Sequence, residues 1–224
     1  MFLAASAPRR KGASTPSNFE AGHVFAGLPA RGAKAILVDP PWAYRNYNAV
    51  IGNRDARNHY PVMSRRAILE LPVRHLASDG GCHLFLWVTD PFFEFAFEVL
   101  DAWGFKFSSI AFQWAKLNPS VDPTGPFMLA DFHVGMGHTT RKNPELVLLG
   151  RSGSPRSRSR AVRELIIAPR REHSRKPDEV RERIERYCDG PYVELFARSS
   201  RPGWITWGPE RTKFDAEPWR EAAE

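Results

Sequence analysis

Short apolar runs separated by polar turns set the rhythm of this chain. Ala35 to Val38 (AILV) is apolar throughout and stops at Asp39, which predicts a buried strand. Cys82 to Val88 (CHLFLWV) predicts a second, and Phe105 to Ala115 a third. Glu145 to Leu149, Glu164 to Ala168, Tyr192 to Ala197 and Trp204 to Trp207 predict four more. Helical signals fall between them. Ser64 is placed to cap a short helix from Arg65 to Leu71. Asp90 as cap, with Pro91 at the first helical position, opens a second that is largely apolar from Phe92 to Trp103. Pro177 opens a third, running to about Tyr187, with Val180, Ile184 and Tyr187 on one face. Tyr44 to Tyr60 has no period and reads as a long loop, and Asn118 to Asn143, rich in Pro and Gly, reads as irregular. Strands alternating with helices imply an α/β sheet covered on both faces. No internal repeat is visible.

Composition narrows the class. The chain has 224 residues, which suits one domain with tails: residues 1–17 and 211–224 read as tails and 18–210 as the folded unit. The short apolar start followed by Arg9, Arg10 and Lys11 has the wrong order for a secretory signal. A disordered tail is the reading, with a transit peptide as the alternative. No apolar run approaches the roughly 20 residues a membrane-spanning helix needs. Cys82 and Cys188 form no CxxC pair, so neither a metal site nor a disulfide framework is expected, and a reducing compartment fits. Net charge is +7, which favours a polyanionic partner. The charge is uneven: Arg151 to Lys176 holds nine Lys or Arg and two acidic residues. Within that stretch Gly150 to Arg160 reads as a mobile basic loop suited to phosphate contact, the alternative being a solvated loop.

The chemistry concentrates where the first strand ends, in Asp39-Pro40-Pro41-Trp42. In open α/β sheets ligands sit beyond the carboxyl ends of the strands. Pro40 pushes Asp39 into an extended conformation, and two prolines offer no N–H, leaving carbonyl oxygens as acceptors. A carboxylate and a backbone carbonyl are what the two N–H groups of a base's exocyclic amine need for orientation. A flat indole such as Trp42 can hold the base by stacking, a contact of about 1–3 kcal/mol. The alternative is a tight turn with Trp42 as a lid over the core.

Further segments carry a resemblance. VDPPW (Val38 to Trp42), YPVMS (Tyr60 to Ser64), LFLWVT (Leu84 to Thr89), AWGF (Ala102 to Phe105), HSRKPDE (His173 to Glu179), VELFAR (Val193 to Arg198) and WITWG (Trp204 to Gly208) occur in that order. Together, over roughly Ala35 to Gly208, the chain resembles the MTA-seventy group of adenine-N6 methyltransferases. The resemblance implies a Rossmann-like methyltransferase fold in circularly permuted order, with the catalytic Asp39, Pro40, Pro41 and Trp42 ahead of the cofactor-binding elements. It implies S-adenosylmethionine as cofactor, no metal, and transfer to adenine N6 in nucleic acid, in the cytoplasm of a bacterial or phage-infected cell. By matching position, Lys176 lies near the cofactor's methionine carboxylate and Arg198 near its ribose. Ser199 and Ser200 follow in the same loop, Asp39 sits beside the sulfonium, and His173 has a cofactor-side or gating role.

The pattern is not complete. The eukaryotic enzyme has His-Asn where Ser200 and Arg201 stand, and Asn-Gln where Pro209 and Glu210 stand, so the cofactor contacts differ here. Tyr44, Arg45 and Tyr47 after the motif, Arg57, Asn58 and His59 further on, and Arg141 and Asn143 in GMGHTTRKN are candidates to contact the substrate. Trp87 and Trp114 read as core, and Glu194 as a buried, hydrogen-bonded carboxylate near the cofactor. DNA is the favoured substrate. RNA is the alternative within the chemistry, a catalytically silent nucleic-acid-binding subunit is the alternative of another class, and a cytosine-N4 target fits the opening Asp less well.

Overall fold

The computed structural model describes residues 24–43, 62–135, 137 and 139–215. The seven strands found are β1 (Ala35–Val38), β2 (Gly81–Val88), β3 (Lys106–Leu117), β4 (Pro144–Gly153), β5 (Leu165–Pro169), β6 (Tyr192–Leu195) and β7 (Trp204–Trp207). They form one sheet in the order β5-β3-β4-β2-β1-β6-β7. Strand β4 runs antiparallel to both its neighbours, and the other pairings are parallel. Every residue of β1 and β2 is buried, as continuous apolar strands covered on both faces must be.

Alternation along those strands divides the core in two. Ile36, Val38, Leu84, Leu86 and Val88 face one way, onto α1 (Arg65–Leu69) and α2 (Phe93–Ala102). Leu37, Phe85 and Trp87 face the other, onto α3 (Glu179–Tyr187), which buries Val180 and Ile184. The predicted α/β sheet, covered on both faces, is the architecture found, and it is that of a Rossmann-like methyltransferase fold.

Local signals explain the element ends. Ser64 Oγ accepts the Ala67 N–H at 3.1 Å and starts α1. Asp90 does not cap a helix. It opens a 3-10 turn, Asp90–Phe92, ahead of α2, and its carboxylate pairs with Lys142 Nζ at 2.5 Å. Phe196 ends β6 in the left-handed region, with φ +59°. That turn brings the β6 exit against Gly208 at the β7 exit, where φ is +149°. A Cβ at 208 would lie 2.9 Å from Phe196 Cα, closer than such atoms approach, so glycine is required.

Two expectations are corrected. Gly150 to Arg160 is not loop throughout. Its first four residues complete β4, pairing with Gly81 to Leu84 of β2. Beyond them, Ser157 bridges Cys188, and the Arg158 N–H donates to the Tyr187 carbonyl at 2.7 Å. Residues 211–215, predicted as the start of a tail, fold back: the Phe214 N–H donates to the Arg198 carbonyl at 3.0 Å, and Asp215 accepts from Ser200.

Candidate active site

Parallel strands end together, so the loops after β1, β2, β3, β5, β6 and β7 share one edge of the sheet with the start of antiparallel β4. Asp39 projects from β1 near the middle of that edge. Lys176, from the segment between β5 and α3, places Nζ 2.8 Å from Asp39 Oδ2 and 3.3 Å from Glu145 Oε2. Lys116, near the end of β3, pairs with the other oxygen of Glu145. Two cations and two carboxylates therefore alternate across the edge, all with side chains about one-fifth to one-quarter exposed.

Both ammonium groups rest on indoles. Lys176 Nζ lies 5.2 Å from the Trp87 ring centroid and Lys116 Nζ 5.0 Å from that of Trp114. Trp87 and Trp114 are buried, as expected of core residues, and Trp114 Nε1 donates to the Ala168 carbonyl at 2.9 Å. Burial alone would raise the Glu145 carboxyl, but Lys176 and Lys116 overcome it and hold its pKa at about 2. Lys176 is the mirror case: burial opposes its charge, Asp39 and Glu145 favour it, and its pKa lies above the ordinary lysine value. Glu194, on β6, moves the other way. Burial raises its pKa although Arg181 Nε lies 2.7 Å from Oε2, and the nearby Asp39 charge adds to the rise.

The prolines behave differently from expectation. The Pro40 carbonyl accepts the Trp42 N–H at 2.8 Å, and the Pro41 carbonyl accepts the Met63 N–H at 3.0 Å. Each retains one lone pair, since a carbonyl oxygen has two. Trp42 is not an open platform. Its indole is 3% exposed, stacked on Phe92 with centroids 5.2 Å apart and edge-on to Phe95 at 6.1 Å. The lid reading of Trp42 describes this packing, and the expected base-stacking role is corrected accordingly.

Three cavities adjoin Asp39 or its neighbours. One of about 220 Å³ is bordered by Asp39, Pro40, Pro41, Met63, Phe196, Arg198, Pro209 and Glu210. Gly208 sets this wall, because its close approach to Phe196 brings Glu210 to Arg198, at 3.4 Å from Nε. A cleft of about 40 Å³ holds Asp39 between Trp87, Lys176 and Glu194. A larger cavity of about 530 Å³ lies beyond Ser199, against α3 and Phe214.

The predicted residues distribute unevenly among these. Asp39 and Arg198 border the cavity and the cleft together. Lys176 lines the cleft, with its charge engaged by Asp39. Ser199 lines the cleft and the larger cavity, and accepts from Arg181 through Oγ and its carbonyl. Ser200 lines only the larger cavity, and its N–H and Oγ are committed to Asp215 at 2.6 and 2.9 Å. His173 contributes its carbonyl to Arg198 at 3.4 Å. Asn143 Nδ2 donates to the His133 carbonyl and closes the loop before β4, while Arg141 is exposed. Tyr44, Arg45, Tyr47, Arg57, Asn58 and His59 lie outside the described residues.

Sequence reasoning missed Glu145 and Lys116 as site members. Each ends an apolar stretch with a lone charge, in NPELVLLG and AFQWAK, and that isolated charge at a strand end is the available signal. Both cysteines are buried in the core, with thiol pKa values pushed up to about 12, chiefly by burial. Among the described residues no cluster of His, Cys, Asp or Glu is arranged to hold a metal, and no helix is long and apolar enough to cross a membrane.

Comparison with known proteins agrees with this geometry. The MT-A70 family model matches residues 33–210. The chain is 29% identical over 208 residues to the type II methyltransferase M.MunI of a Mycoplasma species, covering 84% of this chain and 81% of that one. It is 30% identical over 195 residues to the human N(6)-adenine-specific methyltransferase METTL4, covering 80% of this chain and 37% of that protein. It is also 30% identical over 182 residues to METTL3, the human N(6)-adenosine-methyltransferase catalytic subunit, covering 77% and 27%. The chain thus spans little more than a third, or less, of these two human relatives. A strand-end carboxylate opening onto a cavity, in a sheet of this topology, matched over nearly its whole described length, identifies the chain as a member of the MT-A70 methyltransferase family.

Proposed function

We propose that this protein transfers a methyl group from S-adenosylmethionine to the N6 amine of adenine in DNA. The observation that carries the reading is the position of Asp39: at the carboxyl end of a buried central strand, backed by a paired lysine, and facing a cavity. The residues there fit the cofactor. Lys176 offers a cation near the methionine carboxylate, Arg198 hydrogen-bond donors for the ribose, and Asp39 a negative charge near a sulfonium. When bound, S-adenosylmethionine supplies a methyl group on a cationic sulfur already activated toward a nitrogen nucleophile.

The chain's own part is orientation. Asp39 accepts one amine N–H, and the free lone pair of the Pro40 carbonyl accepts the other. The stiff Pro-Pro turn, anchored through Trp42 in the core, keeps those two acceptors at fixed separation. Holding the nitrogen in line removes most of the entropy of encounter. Lys176 fixes the carboxylate against the Trp87 ring. A duplex substrate must turn its adenine out of the stack, at a few kcal/mol.

DNA is favoured because the likeness to the type II methyltransferase runs over most of both chains. The METTL3 relative, named for adenosine, supports RNA as the second reading. Transfer of label from the cofactor to adenine-containing DNA tests the proposal: Asp39→Ala is expected to lower the rate by at least about 10³-fold, on the order of 4 kcal/mol in the barrier. An unchanged rate in that variant rejects the role of Asp39. Competition between DNA and RNA oligonucleotides of one sequence separates the two substrates.

A further inference from the structure

We propose that the opposite edge of the sheet, where the parallel strands begin, carries a phosphate-binding band that holds nucleic acid flanking the target base. The inference rests on nucleic acid being the substrate, as above, and concerns residues that play no part in the site around Asp39.

The band is assembled from three separate stretches. Lys106, the first residue of β3, is the register partner of Arg151 on β4, so the two exposed side chains stand next to each other. Arg151 is itself paired with His83 of β2, and the His83 ring contacts the Arg156 carbonyl, which places Arg156 on the same rim. Arg158 follows, bound through its N–H to Tyr187 at the end of α3. Arg186 lies in the last turn of that helix and is exposed. One turn earlier, Arg183 donates to the carbonyls of Arg163 and Leu165; Leu165 is level with Gln113 of β3, so the exposed Arg163 stands partway toward the carboxyl edge, outside the band.

Opposing charge at this edge includes exposed Asp79, which pairs with Arg31, and exposed Asp101 at the end of α2. Asp189 pairs with Arg158 at 3.4 Å, Glu164 is hydrogen-bonded to Gln113, and Glu179 and Glu182 partly offset Arg183. The stretch that carries Arg156 and Arg158 is also fixed in place. Gly81, at φ +135°, lets it come so near that a Cβ there would lie 2.5 Å from Pro155 N. A segment kept only for solubility needs no such seat.

Location gives the band its meaning. By strand register Asp39 is level with Trp87 and Arg151 with His83, four residues down the sheet and two strands across. At about 3.3 Å per residue and about 4.8 Å per strand, Arg151 lies roughly 16 Å from Asp39, while Arg156, beyond the Gly81 end of β2, lies roughly 20 Å or more away. Duplex ending close to the target adenine stops short of it. Duplex extending more than about 5 to 6 base pairs beyond the adenine, at about 3.4 Å per pair, reaches it.

The test compares fluorescein-labelled DNA duplexes of 8 and 30 base pairs, each with a central adenine, by anisotropy across a salt series. The proteins are the wild type, a variant with Arg151, Arg156, Arg158 and Arg186 all changed to Gln, and one with all four changed to Lys. The Gln variant is expected to bind the long duplex at least 10-fold more weakly, with the log–log salt slope reduced by about 3 to 4, as loss of four phosphate contacts requires. Its affinity for the short duplex is expected to match the wild type, and the Lys variant to retain the wild-type slope. An unchanged slope in the Gln variant, an equal loss on the short duplex, or a Lys variant as weak as the Gln variant overturns the proposal. Binding is read without catalysis, so a wild type that transfers no methyl group rejects the function proposed above and leaves this test readable.

Discussion

The two edges of the sheet use the same kinds of residue to opposite ends. At the carboxyl edge Lys116, Glu145, Lys176 and Asp39 are partly buried and alternate in sign, each charge answered by the next. At the amino edge Lys106, Arg151, Arg156, Arg158 and Arg186 are exposed and largely of one sign. Charges out of water interact strongly and must be paired, whereas exposed ones are screened and contribute little to folding. The first group is therefore built into the fold. The second leaves its attraction available to something else.

That contrast can be broken at several points. The largest stability effect is expected at Trp42, which ties the motif turn to the core: Trp42→Ala should cost about 3–5 kcal/mol in denaturant unfolding. A loss under 1 kcal/mol would mean that the turn holds itself. Glu145→Gln should come next, at about 2–4 kcal/mol, because Lys116 and Lys176 lose a shared counter-charge in a partly buried setting. It carries a pH signature as well. Glu145 titrates near 2 in the folded protein against an ordinary 4.5, so the folded state binds fewer protons between those values. Its stabilisation is complete above about pH 4.5 and is lost as pH falls toward 2. Thermal unfolding of Glu145→Gln over that window should show a flatter acid limb than the wild type, and parallel limbs would count against the cluster. The smallest effect belongs to the other edge. Arg151→Gln should change stability by no more than about 0.5 kcal/mol, and a larger loss would make the band structural.

Legibility followed the same division between local and long-range causes. Strands β1 and β7 were readable to the residue, because their apolar runs are bounded by Asp39 and Gly208. The Ser64 cap and the Val180–Ile184 face were readable too, since both depend on neighbours within a turn. The end of β4 was not. Gly150 to Gly153 looks like loop until Gly81 to Leu84, some seventy residues away, supplies its ladder. Glu145 and Lys116 were missed for a related reason: strand register, not spacing in the chain, brings them to Lys176. Asp39 stood out because prolines announce a strand end. Trp42, beside it, was misjudged because an indole has no sequence mark that tells a platform from a plug.

The width of the cavity mouth is set by an atom the chain does not have. Where β6 and β7 leave the sheet, only the hydrogen on Gly208 separates it from the Phe196 backbone. One methyl group there would wedge the two exits apart and carry Glu210 away from its arginine, with no side chain of the pocket itself altered.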